Sequence, residues 1–450
     1  MGEFVLRRFL PLALPIAFQY LMLALVGASD AFMLGRLDQD AMASVSLATQ
    51  VQFLQNMVVC AIAVGLSVLG AQYRGKGDAT SVGRVFWIGL KGSTAVSALV
   101  AFACLLAPEQ LMRIFAAPGP LVGLGADYLR IAGVSYFLTG LTQCCHSVLK
   151  LTDAVHARRS AMISTLTVLL NIALNFVLIF GLGPIPSLGV RGAAAATVLA
   201  RIVETALTLV CVRRHRIVPS DFGRSLPAVP GLSRDYWRCS LPILGSYLMW
   251  SGGLATYAAA FGHLGSDAAS ANAVSAVVRD VLACVADGGG VAAGIIVGKE
   301  LGAGRLDAAR LCGARLMKLA FLLGLACLAV VLLSAPVVLR CMVLSDVART
   351  CLREMLIVLS VYQIGRCVNT IAVAGVFSAG GDTLFDFYSL GVSMWMVAVP
   401  LALAGAFVFH WPVVLIFACT CIDEVGKIPW TLAHYCRYLW LRDLTRTKAG

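Results

Sequence analysis

Charge is what this sequence has least of. Only 13% of its 450 residues are Asp, Glu, Lys or Arg, while 60% are hydrophobic, and the mean hydropathy is +0.87. Soluble domains run nearer a quarter charged and half apolar. A water-soluble globule and a disordered chain are both excluded. No polar stretch reaches the roughly 50 residues that a soluble domain needs. Strings that announce chemistry are missing too. No G-x-x-x-x-G-K-[ST] string exists to cradle a nucleotide phosphate, which argues against ATP drive. The six histidines, His146, His156, His215, His263, His410 and His434, are dispersed, with no H-E-x-x-H, which argues against a membrane-embedded enzyme. Fifteen cysteines lie mostly in apolar stretches with no C-x-x-C pair, so they read as small reduced hydrophobes rather than metal ligands. The N-terminal run MGEFVLRRFLPLALPIAF has no small-residue cleavage site and reads as a retained first helix.

What is present is long apolar runs. One bilayer crossing takes about 20 apolar residues. Ala41–Tyr73, Ser160–Val190, Leu319–Leu339 and Phe387–Ile422 contain no charged residue at all. Twelve spans are expected, near 10–34, 43–70, 86–107, 127–149, 160–183, 192–212, 239–262, 270–298, 316–339, 352–378, 386–408 and 412–436. The fold class is therefore all-α and integral to the membrane. With the N-terminus in the cytoplasm, 24 of the 35 Lys and Arg residues fall on the cytoplasmic side and 7 outside. That asymmetry is a positive-inside signal. It accounts for the net charge of +12 without nucleic acid, and it puts both termini in the cytoplasm of a multi-pass inner-membrane protein.

The chain repeats itself at an offset of 227 residues without a gap. LPIAFQYLM (14–22) meets LPILGSYLM (241–249), GRLDQDA (35–41) meets GHLGSDA (262–268), and RGKG (74–77) meets LGAG (301–304). Shared prolines, glycines and an aspartate cannot come from apolar composition alone. Each repeat holds six spans, an even number, so the two halves are parallel and related by an axis along the membrane normal. The expected domains are a six-helix lobe over 1–212, a cytoplasmic Arg- and Pro-rich linker over 213–236, and a second lobe over 237–450.

Carboxylates and amides inside spans are expensive and mark candidate sites. Asp30 lies inside the first span. Asn171 and Asn175, four apart on the fifth span, share a helix face, and Thr197 sits early in the sixth. One carboxylate, two amide oxygens and a hydroxyl form a hard-oxygen set that suits Na⁺ or a protonatable Asp. In the second half, Asp382 lies in a Gly-Gly-Asp turn and Asp287 precedes Gly288-Gly289-Gly290, which permit close helix approach. Arg201 and Glu204 are expected to pair, whereas adjacent Arg279 and Asp280 are not expected to face each other. Trp250, Tyr257 and Tyr362 are candidates to line a cavity for apolar cations. At the repeat offset Asp30 meets Tyr257, so the halves are not equivalent.

These residues resemble the MATE (multidrug and toxic compound extrusion) family over nearly the whole chain. The likeness rests on LPIAFQYLMLALVGASDAFMLGRL, SVLGAQYRGKGD, NIALNFVLIFGLGPIPSLGVRGAAAAT, IIVGKELGAGRLDAA, FSAGGDTLFDF and WMVAVPLAL, in that order. The resemblance implies two six-helix lobes in a V, alternating access, and export of organic cations by H⁺ or Na⁺ antiport, with no cofactor beyond that ion. It also implies a cation site at Asp30, Asn171, Asn175 and Thr197. Some members carry a second carboxylate where this chain has Asn175, and a subgroup carries Glu where it has Trp250. Asp382 matches an acidic position of the family. The expected partners are a small-molecule substrate and membrane lipid, the expected state is a monomer, and the alternative reading is a lipid-linked precursor flippase of the same export superfamily.

Overall fold

This computed structural model describes residues 2–36, 39–115, 119–182, 186–215, 229–342 and 344–445. Residues 216–228 of the expected linker, and Leu37 and Asp38 of the repeat, lie outside the described residues. Among the described residues, helical stretches stand where the twelve spans were expected, eleven of them long and the last in short pieces. They are α1 (Leu10–Gly35), α2 (Gln39–Gly75), α3 (Ala79–Leu106), α4 (Pro120–Thr152), α5 (Ala154–Phe180) and α6 (Gly189–Arg214) in the first half. The second half has α7 (Leu232–His263), α8 (Ser266–Gly302), α9 (Leu306–Cys341), α10 (Asp346–Phe377), α11 (Thr383–Phe407) and α12. This last stretch comes in three pieces, Val413–Thr420, Ile422–Val425 and Ile428–Cys436. Helices dominate because lipid offers backbone N–H and C=O groups no partners, so each span must satisfy its own. Ten helices among the described residues are long and apolar enough to cross a membrane. Gly, Ser, Tyr and Trp dilute the apolarity of α7, and α12 is broken into pieces too short to qualify alone.

The helices overrun the apolar runs at most ends, because polar residues outside the lipid still cap and extend them. The Asp78 side chain accepts from the Ser81 N–H at 3.1 Å and starts α3. Asp153 accepts from the His156 N–H at 2.8 Å and starts α5. Ser345 accepts from the Ala348 N–H at 3.1 Å and starts α10. Pro15 and Pro242, partners at the repeat offset, both sit inside helices, where each deletes a backbone bond. Thr370–Phe377 in α10 and Gly391–Ala398 in α11 are wound as π-helix, a form frequent at functional sites.

The chain divides into two compact units. One contains Phe18–Gly70 and Asp78–Trp237. Its core packs Leu34, Cys104, Tyr128, Leu129, Tyr136 and Ile179. Buried polar ties cross it: Gln55 Nε2 donates to Ser97 Oγ at 2.9 Å and to the Tyr136 carbonyl at 2.8 Å, and Ser93 Oγ donates to the Gly140 carbonyl at 2.7 Å. A Cβ at Gly140 would collide with Ser97, so glycine is what allows α3 and α4 to touch. The other unit contains Arg238–Gly450 together with Met1–Ala17 and Ala71–Gly77. Phe261, Leu352, Met355, Leu356, Leu359 and Phe417 belong to one of its apolar clusters. The two early segments belong to it for visible reasons. Arg8 Nη1 bonds Glu300 Oε1 at 3.0 Å, Gln72 Nε2 donates to the Ala379 carbonyl at 2.6 Å, and Gly302 lies against the Gln72 backbone.

Gly140→Ala should cost about 1–3 kcal/mol by overpacking the α3–α4 contact, read as a lowered melting temperature in detergent. A second expectation concerns Asp153, in the turn between α4 and α5. Burial opposes its charge, but the His156 N–H and ring outweigh that and hold the carboxyl below its ordinary range. A depressed native value stabilises above the unfolded value, and that contribution is lost as pH falls through the native one. Acidification should therefore increase hydrogen exchange at the start of α5, and Asp153→Ala should remove that pH dependence.

Candidate functional site

Helix α1 carries Asp30 partly buried within the first unit, and α5 brings two amides against it. Asn175 Nδ2 donates to Asp30 Oδ1 at 2.5 Å and to Asn171 Oδ1 at 3.2 Å. The four-residue spacing on α5 is what lines the amides up. Asn175 and Asn171 are both buried. With both contacts made through its nitrogen, Asn175 Oδ1 is buried without a partner. A buried carbonyl oxygen left unbonded costs energy unless something fills its place. On α6, Thr197 Oγ1 donates to the Ala193 carbonyl at 3.0 Å, so what it can offer an ion is an acceptor oxygen. The buried Tyr128 side chain of α4 lies beside Thr197 and in the field of Asp30. Tyr128 was not read from the sequence, because an inward-facing tyrosine looks like any core aromatic until helices are placed.

Behind this set lies a saturated polar group. Arg201 Nη1 bonds Glu204 Oε2 at 2.5 Å, the pair expected from the spacing. His146 Nε2 lies 3.3 Å from Glu204 Oε1 and its Nδ1 2.8 Å from Ser160 Oγ. Buried charges are tolerated when paired and hydrogen-bonded. Glu204 is so tied, whereas Asp30 has an amide for a partner and a cation, Arg201, only at longer range.

In the second unit the candidates separate. Trp250, Asp287 and Tyr362 line one cavity of about 150 Å³ with Arg279, Asp280 and Arg366. Arg366 on α10 is its centre and was missed as such. It bonds Asp287 Oδ1 at 3.0 Å and Glu424 Oε1 at 3.2 Å, and its guanidinium lies 5.6 Å from the Trp250 ring. Asn369 Nδ2 donates to Glu424 Oε2 at 2.7 Å and Thr431 Oγ1 donates to Asn369 Oδ1 at 3.0 Å. Arg279 and Asp280, not expected to meet, do so at 3.0 Å. The flexible arginine stem reaches across the divergence of adjacent helix positions. Tyr257 does not line the cavity but packs with Met394 in an apolar cluster that Trp250 also touches, its hydroxyl buried without a hydrogen bond among the described residues. Asp382 lies apart from the cavity. It takes a bond from His434 Nε2 at 2.6 Å and makes no side-chain cap to its own helix. The Gly381 φ of +77° turns the backbone there, which glycine alone adopts cheaply.

The MatE family model matches residues 15–177 and again 242–404. The two matches stand at the same 227-residue offset as the internal repeat. The uncharacterized transporter YisQ of Bacillus subtilis is 24% identical over 396 residues, 86% of this chain and 85% of its own length. A probable multidrug resistance protein NorM of Burkholderia pseudomallei is 30% identical over 307 residues, 67% of this chain and 64% of that protein. Among solved structures, an outward-facing multidrug resistance MATE transporter of the MOP superfamily superposes with a TM-score of 0.85 at 20% identity, covering 96% of each chain. A MATE protein in a straight conformation gives 0.85 at 20% identity, covering 95% of this chain and 96% of the other. With the repeat, the helices and the family match in agreement, the chain belongs to the MatE family: it is a multi-pass membrane transporter, not an enzyme.

Proposed function

We propose that this transporter is a multidrug exporter of the inner membrane that expels small organic cations in exchange for H⁺ or Na⁺. In this reading two six-helix lobes, 1–212 and 237–450, are joined by the linker 213–236, with both termini in the cytoplasm, and the monomer is the working unit. The observation that carries the reading is the Asp30 contact. Among the described residues, a carboxylate inside an apolar span is held by an amide with no cation bonded to it, next to an amide oxygen with no partner.

Such a carboxylate is unstable as a bare ion. A proton on Asp30, or Na⁺ held by the oxygens of Asp30, Asn171, Asn175 and Thr197, removes the uncompensated charge. The donors are all hard oxygens, which fit Na⁺. An ion drives export only if it binds two conformations unequally, and a tenfold preference corresponds to about 1.4 kcal/mol. The homology to proteins named for multidrug resistance supports the cargo class.

Efflux of a fluorescent organic cation from proteoliposomes, under an imposed pH or Na⁺ gradient, tests this directly. Asp30→Asn should abolish the gradient dependence while the protein folds and inserts normally. Asn175→Ala should weaken apparent ion affinity about tenfold. Gradient-driven efflux that survives Asp30→Asn would reject the coupling role.

A further inference from the structure

The cavity of the second unit holds a cation of its own. Arg366 spans two carboxylates, one on α8 and one on α12, and those carboxylates are not held equally. Glu424 is anchored on its far side by Asn369, which Thr431 holds in turn. For Asp287, Arg366 is the hydrogen-bond partner found among the described residues. Exposure is unequal as well. The side chains of Asp280 and Asp287 are 60% and 37% exposed, those of Arg279 and Arg366 only 23% and 16%. What a visitor meets at the cavity wall is therefore carboxylate, with the Trp250 and Tyr362 rings beside it.

We propose that this cavity is an exchange site for a single-ring organic cation, which takes Asp287 from Arg366 while the guanidinium falls back on Glu424. The charge count favours the exchange. Arg366 with two ionised carboxylates leaves one negative charge uncompensated, and a monovalent ligand supplies its balance. Displacement strands nothing, because Arg366 keeps Glu424 and yields the Trp250 face along with Asp287. Removing a partner from a buried charge without a replacement is what makes such pairs costly to break. The backbone under Asp287 stays fixed, since Gly288 lies against the Ala17 backbone and Gly290 against Thr370. Only the side chains need to move. The volume of about 150 Å³ is that of a cavity that takes one benzene-sized ring. Trp250 offers the cationic head an aromatic face. When the ligand leaves, Arg366 returns to Asp287, so the protein itself supplies the counter-ion that empties the site.

This inference deepens the export reading by giving the cargo a site, and it rests on that reading for the claim that the bound cation is carried. Calorimetry on the purified full chain in detergent tests it, with benzyltrimethylammonium as probe and benzoate as its anionic counterpart. Benzyltrimethylammonium should bind, Asp287→Asn should weaken it at least about tenfold, and Trp250→Ala should weaken it as well. Arg366→Gln, which removes the competitor, should tighten it about threefold or more. Should Arg366→Gln not fold, the Asp287 and Trp250 variants decide alone. Absence of binding, binding indifferent to Asp287→Asn, or a preference for benzoate that Arg366→Gln abolishes would each overturn the proposal. Asp30→Asn separates it from the coupling reading. Probe binding kept in Asp30→Asn and lost in Asp287→Asn supports the exchange site, whereas the reverse pattern defeats it and leaves Asp30 as the ion site.

Discussion

An ionised carboxylate does not rest comfortably in an apolar span, and the proposed export cycle depends on how the charge of Asp30 is answered. The nearest group is the Asn175 amide, at 2.5 Å. Arg201, the cation that could answer it, is pinned to Glu204 instead. The first unit thus holds two carboxylates in opposite circumstances. Glu204 is satisfied by Arg201 and His146 and is structural in character. Asp30 has an amide as its hydrogen-bond partner among the described residues. On the reading proposed here, that difference is what lets the conformational balance respond to an ion gradient.

The second unit solves a like problem differently. Where the repeat places Tyr257 opposite Asp30, the charge has moved to α8, α10 and α12, and a cation is built into the chain as Arg366. An arginine stays protonated at any physiological pH, so this cluster is unsuited to proton exchange at its centre. It suits competition between cations. One duplicated scaffold thereby carries an amide-held carboxylate in one unit and an arginine-answered pair in the other.

Much of this was written in the sequence. Uncharged or nearly uncharged runs located the spans because charge is costly at lipid depth, and the 227-residue repeat showed through shared prolines and glycines. The Asn171 and Asn175 pairing followed from four-residue spacing on one helix. Contacts between distant helices were less legible. Arg366, Asp287 and Glu424 lie on three helices, and spacing within a helix says nothing about which faces meet. The Arg279–Asp280 contact was misread because the rule for helix faces treats side chains as short, and arginine is long. The π-helical turns in α10 and α11 and the short helix Pro108–Phe115 left no pattern in polarity to find. The bond between His434 and Asp382 was hidden for a related reason, since a Gly-Gly-Asp turn looks self-contained until α12 is set beside it.

If the Asp30 carboxyl changes its proton or ion occupancy during transport, infrared difference spectroscopy of the purified protein detects the change. Adding Na⁺ or stepping the pH should change a carboxyl C=O or carboxylate band in the wild-type protein, and the change should vanish in Asp30→Asn. A difference spectrum identical in the two proteins would contradict the account.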